Sequence, residues 1–110
     1  MTTLHDHIMT NYSSINDYAT HIQRNYPLVK RWCDKGAVII DELIYVPSTQ
    51  LQNDNAPNMV TLKDHINNWY DGSASAAAAV LGRHRNQLAA WCKRDAILIE
   101  GRIWLPRGFA

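Results

Sequence analysis

The chain has 110 residues, 46% of them apolar and 19% charged, with a formal net charge of +1 at pH 7. That length holds one ordinary core or two small ones of about 55 residues each, which excludes a large multidomain enzyme. With only 4 Pro and 5 Gly, the bulk of the chain is neither disordered, collagen-like nor of low complexity.

No stretch reaches the roughly 18 consecutive apolar residues that a membrane span requires. The N-terminal MTTLHDHIMTNY has neither the basic nor the apolar segment of a secretory signal, so the cytoplasm is the expected location, with no membrane partner. The cysteines, Cys33 and Cys92, are too few for a disulfide scaffold and form no CxxC pair. Reduced, buried thiols are expected, and neither zinc nor redox chemistry is implied.

In chain order, Leu4, Ile8 and Tyr12 recur at helical spacing and predict a first helix. Ser14 caps a second, running through Ile22, and Pro27 opens a third, a position where its missing N–H costs little. Val29, Trp32 and Cys33 supply that helix's buried stripe. AVII and LIYVP then form a hairpin around Asp41 and Glu42, a less favourable turn pair than one containing glycine. The polar run STQLQNDNAPN, residues 48–58, has no apolar period and reads as an exposed linker.

Met59 to Thr61 is too short a run to assign as a strand. After it, Thr61 caps a helix whose predicted stripe is Leu62, Ile66, Trp69 and Tyr70, stopped by Asp71 and Gly72. SASAAAAVL is nearly pure helix former, opens at Ser73 or Ser75 and ends at Gly82, suited to the left-handed conformation past a helix end. HRNQLAAWCKRD follows with Leu88, Trp91 and Cys92 as its apolar stripe, and AILIE and RIWLP form a hairpin around Glu100 and Gly101.

These elements repeat. RWCDKGAVIIDELIYVP from Arg31 lies over AWCKRDAILIEGRIWLP from Ala90 at an offset of 59, and TLHDHI from Thr3 lies over TLKDHI from Thr61 at an offset of 58. One residue has therefore been gained or lost between the two blocks. The predicted fold class is α+β: two tandem small units, each three helices followed by a β-hairpin. The first unit is 1–47, the linker 48–58 and the second unit 59–110. Trp32, Trp91, Cys33 and Cys92 recur in register and belong to the two cores.

Two helices joined by a short turn, with a small residue inside the first and glycine in the turn, form a helix-turn-helix. Ala78, four residues before Gly82, with Leu81, Leu88 and Trp91 on the buried positions, fits it. The stretch TLKDHINNWYDGSASAAAAVLGRHRNQLAAWCKRDAILIEGRIW resembles the phage Cro repressors. What the resemblance implies is a recognition helix in which Arg85, Asn86, Ala89 and Ala90 face the major groove and Lys93 and Arg94 form a basic end, with Arg83 and His84 just before it. In the first unit the corresponding residues are Tyr26, Pro27, Lys30 and Arg31, with Gln23 in place of the turn glycine. Cro-type proteins bind as symmetric dimers, so the tandem copy resembles a fused dimer.

Split at Pro57, the first half has 4 basic and 6 acidic residues, net −2, and the second 7 and 4, net +3. The better match is thus also the more basic half, with Arg83, Arg85, Lys93, Arg94 and Arg102 on or beside the recognition helix and hairpin. Arg85 can pair with guanine O6 and N7, and Asn86 with adenine N6 and N7. Asp34 and Asp17 dilute the attraction of Lys30 and Arg31 for phosphate.

The expected partner is double-stranded DNA, and the expected function that of a phage or prophage transcriptional regulator, repressor-like, which occludes an operator without a cofactor. The hairpin strands offer edges for a homodimer, and the acidic first unit offers a surface for a protein partner. The alternative function is a protein-binding inhibitor or adaptor that keeps the fold and blocks a host or phage protein. His5 and His7 form an HxH without a second ligand cluster, so they read as surface or interhelix residues rather than a metal site. No nucleophile motif, phosphate loop or paired-carboxylate setting is present, and no catalytic residue is assigned.

Overall fold

The computed structural model describes residues 2–51 and 59–110. Its element order is β1 (Thr2–Thr3), α1 (Leu4–Asn11), α2 (Ile15–His21), α3 (Tyr26–Asp34), β2 (Val38–Ile40) and β3 (Leu43–Gln50). The same order returns in β4 (Val60–Thr61), α4 (Leu62–Trp69), α5 (Ala74–Leu81), α6 (Arg85–Lys93), β5 (Ile97–Ile99) and β6 (Arg102–Phe109). The class is α+β.

Five of these six helices start at a side-chain cap. Thr3, Ser14, Asn25, Thr61 and Ser73 each accept a hydrogen bond from the backbone N–H three residues on, which satisfies one of the donors a helix leaves open. α2 and α5 both end on a left-handed residue, Gln23 at φ 60 and Gly82 at φ 70. Both turns are closed by the same backbone bond, Arg24 N–H to Ala19 O at 2.9 Å and Arg83 N–H to Ala78 O at 3.2 Å. In both hairpins the two central residues have positive φ: Asp41 (51) and Glu42 (68), Glu100 (52) and Gly101 (75), the type I′ pattern.

The change of repeat offset falls in the turn before the second helix, where Ser13 alone stands in the place of Asp71 and Gly72. Past it, Tyr18 is equivalent to Ala77, Gln23 to Gly82 and Trp32 to Trp91.

Two compact units result, Met1–Pro47 with Pro106–Ala110, and Ser48–Leu105. In the first, β1-β2-β3 pair antiparallel and the end of β6 lies beside β3, with Ala110 N–H donating to Glu42 O at 2.9 Å. Leu4, Ile8, Tyr18, Val29, Trp32, Ile44 and Val46 form its core. In the second, β4-β5-β6 pair antiparallel and the end of β3 lies beside β6, with Leu51 N–H donating to Gly101 O at 2.8 Å. Its core gathers Leu62, Ile66, Leu81, Leu88, Trp91, Leu98 and Ile103 around Leu51.

Each repeat thus contributes the tail of its long hairpin strand to the other repeat's unit, which corrects the expected boundaries at both ends. Ser48–Gln50, expected as linker, continues β3, and Leu51 is a core residue only 5% exposed. Pro106–Ala110, expected in the second unit, belongs to the first. The remainder of the expected linker, 52–58, lies outside the described residues. Val60–Thr61 forms the short strand that three residues were too few to assign.

A second correction concerns α4. Trp69, expected on the buried stripe, is 56% exposed, and His65 is buried in its stead at 1%. The helix turns Leu62, His65 and Ile66 inward, and Trp69 lies beyond the end of that stripe.

A candidate nucleic-acid interface on the second unit

α5 and α6 cross through small residues, Ala77 fully buried and Ala78 half-buried, over Leu81, Leu88 and Trp91. Because Leu88 and Trp91 face inward, the opposite side of α6 carries Arg85, Asn86, Ala89, Ala90 and Lys93, all exposed, with Arg94 at the C-cap and His84 at the N-cap. Arg85, Ala89 and Lys93 form one row at i, i+4 and i+8, and Asn86 and Ala90 the adjacent row. The two alanines keep the middle of the face low, and no acidic residue occurs from His84 to Arg94.

α6 alone among the six described helices has no side-chain hydrogen bond at its N-cap. Its first N–H groups open beside a shallow depression of about 410 Å³ lined by Ser75, Ala78, Ala79, Arg83, His84, Arg85 and Asn86. Exposed N–H groups at the positive end of a helix dipole attract an anion.

Arg83 makes a contact of its own. It precedes the helix, is half-buried, and points a guanidinium N–H at Gln50 O at 3.4 Å. Arg102 does the same with Gln50 Oε1 at 3.5 Å. Both cations thus reach the end of β3, and Arg83 also lines the depression beside the N-terminus of α6.

The corresponding face of α3 has other chemistry. Tyr26 is 42% exposed and Pro27 also lies at the surface. Lys30 is held by Asp34, Nζ to Oδ1 3.2 Å, and the N-terminus is already capped by Asn25, whose Oδ1 accepts from Leu28 N–H at 3.1 Å. Arg31 is exposed beside Lys35 and Arg107 around a second depression, of about 320 Å³. The sequence reading passed over Lys35 and Arg107, and nothing local signals Arg107, which is 76 residues from Arg31 in the chain.

The strand exchange also redistributes charge. The first compact unit has five basic and five acidic residues, net zero, and the second six and five, net +1. The −2 and +3 of the two halves are reduced because Arg107 moves to the first unit and Asp54 to the second.

Burial pushes the Tyr18 phenol up to about 12, with Tyr12 and Cys33 adding to it, and its hydroxyl is buried without a hydrogen-bond partner among the described residues. Burial raises the Cys33 thiol, aided by Asp34, and raises Cys92 against a lowering by Lys63. Both thiols are free and half-buried. Among the described residues no group of three His, Cys, Asp or Glu could hold a metal ion, and no helix is long and apolar enough to cross a membrane. No protein-family model, curated protein or solved structure matches the chain.

Proposed function

We propose that the chain is a Cro-type transcriptional regulator, two helix-turn-helix units in one chain, in which α6 of the second unit reads double-stranded DNA from the major groove. The observation that carries this reading is the exposed, acid-free face of α6, Arg85-Asn86-Ala89-Ala90-Lys93, next to an N-terminus without a side-chain cap. Arg85 and Asn86 have the donor and acceptor groups to specify guanine and adenine. Lys93, Arg94 and the free N–H groups supply contacts to phosphate, which position the helix without reading sequence. Regulation follows by occlusion of the operator and needs no cofactor.

The two recognition helices are not equivalent. Where the second unit offers Arg85 and Asn86, the first offers Tyr26 and Pro27, so the operator is asymmetric. The test is selection of bound duplexes from a random DNA library by the intact chain at physiological salt. The expected result is one enriched, non-palindromic motif whose affinity falls steeply as salt rises. Recovery of no motif, with binding absent or insensitive to sequence, overturns the proposal.

A further inference from the structure

We propose that the depression on the first unit is a docking site for an acidic peptide segment of a partner protein, one that carries a bulky apolar side chain among its carboxylates. The inference is independent of the DNA reading of the second unit. Arg31 and Lys35 on and just past α3, and Arg107 on the exchanged end of β6, are exposed around a hollow of about 320 Å³ whose remaining lining is Leu28, Trp32 and Val46. That volume is at the small end of the range for binding pockets, about 300–1,000 Å³. Trp32 and Val46 are buried and Leu28 half-buried, so the lining combines three cations with an apolar floor.

No carboxylate among the described residues lies within 4.0 Å of Arg31, Lys35 or Arg107. The nearest acidic neighbour in sequence, Asp34, is taken up by Lys30. The segment that brings Arg107 also passes Arg24, since a Cβ built on Gly108 would meet the Arg24 guanidinium at 3.4 Å. Three cations that line one hollow without a carboxylate partner among the described residues form a surface complementary to an external anion.

The fold does not require this arrangement. At the positions the repeat equates, the second unit has Gln87 for Leu28, Ala90 for Arg31, Arg94 for Lys35 and Ser48 for Arg107. Both the apolar residue and two of the three cations are special to the first unit.

The apolar floor decides between occupants. A duplex phosphate would satisfy the cations alone and leave the half-buried Leu28 uncovered beside Trp32 and Val46 of the core, whereas an acidic segment with one large apolar side chain uses both parts of the lining. Apolar anchor and charged rim together are how short segments of this kind are recognised.

The test is a display selection from a random library of short peptides against the intact chain, repeated with the variant Lys35→Glu/Arg107→Glu. Both substituted residues are exposed, and the variant's melting temperature reports that it still folds; the single variant Arg107→Gln serves if it does not. Enriched peptides are expected to share carboxylates flanking Leu, Ile, Phe or Trp. Their affinity, read by fluorescence anisotropy, is expected to fall by about tenfold or more in the variant and to stay unchanged in Lys63→Ala on the second unit. Absence of enrichment, or enrichment that ignores both residues, overturns the proposal. So does a variant that loses affinity for random-sequence duplex while keeping the peptides, because the cations then serve a phosphate backbone.

Discussion

Replacement of Gln23 by glycine is expected to stabilise the first unit. Gln23 is the left-handed residue that ends α2, at φ 60, and Gly82 occupies the equivalent position in the second unit at φ 70. The side chain of Gln23 is exposed, and the turn is held by backbone bonds alone, Gln23 N–H to Thr20 O at 3.2 Å and Arg24 N–H to Ala19 O at 2.9 Å. Removing the side chain therefore sacrifices no packing. A left-handed non-glycine residue costs roughly 1–2 kcal/mol, and glycine costs about 0.5–1 kcal/mol in extra unfolded-state freedom. The difference is a gain of about 0.5–1 kcal/mol, or roughly 2–5 °C in Tm for a protein of this size.

Urea denaturation followed by Trp fluorescence, with thermal melting alongside, measures it. The urea midpoint should rise with an unchanged slope, because the folded surface is the same. Gln23→Ala is the control: it shortens the exposed side chain and keeps the Cβ, so it should recover none of the gain. A glycine variant no more stable than wild type, or an alanine variant as stable as the glycine variant, would refute the assignment of strain to this turn.

Other expectations follow from the two units. Arg85→Ala with Asn86→Ala should abolish the enriched DNA motif and leave the melting temperature unchanged, since both side chains are exposed; an unaltered motif would remove α6 as the reader. Lys93→Gln should weaken all duplexes alike and lower the slope of log affinity against log salt by about 1. Tyr18→Phe should stabilise the chain at neutral pH by about 1 kcal/mol, because it deletes a buried hydroxyl that has no hydrogen-bond partner among the described residues. Its advantage should grow with alkalinity: Tyr18 is held protonated up to about 12 against its ordinary 10.0, so its contribution to stability is complete below 10.0 and is lost as the pH rises toward 12. Urea curves at neutral and alkaline pH test both parts. Trp91→Ala should cost roughly 3–5 kcal/mol and remove amide protection from α4, α5 and α6 before α1, α2 and α3, as read by hydrogen exchange.

The helices were legible because each carries its own signals. Caps at Ser14, Thr61 and Ser73, the terminating Gly82 and the aligned Trp32 and Trp91 fix local structure through contacts a few residues away. The sequence also named the exposed face of α6, since Leu88 and Trp91 fix which side turns inward. Trp69 was misjudged because apolar spacing alone cannot tell the last turn of a buried stripe from a residue just past it, and His65, a polar type, gave no sign of burial. The strand exchange left no local trace. Ser48–Gln50 is polar because it alternates at a sheet position with one face in solvent, and such a run reads as linker. The depression around Arg107 needs residues from both repeats, so neither stretch alone announces it.

The exchange of strand ends also sets an order on synthesis. Leu51, which the second unit needs, is made before any of that unit's helices, so this unit can close as soon as Leu105 has left the ribosome. The first unit cannot. Its last strand segment, Pro106–Ala110, is made after every other residue of both units, and until then β3 presents an open edge, the kind of surface on which nascent chains pair wrongly. Because both repeats lie on one chain, that vulnerable interval is limited by the elongation time of a single message, at about 5–20 residues per second.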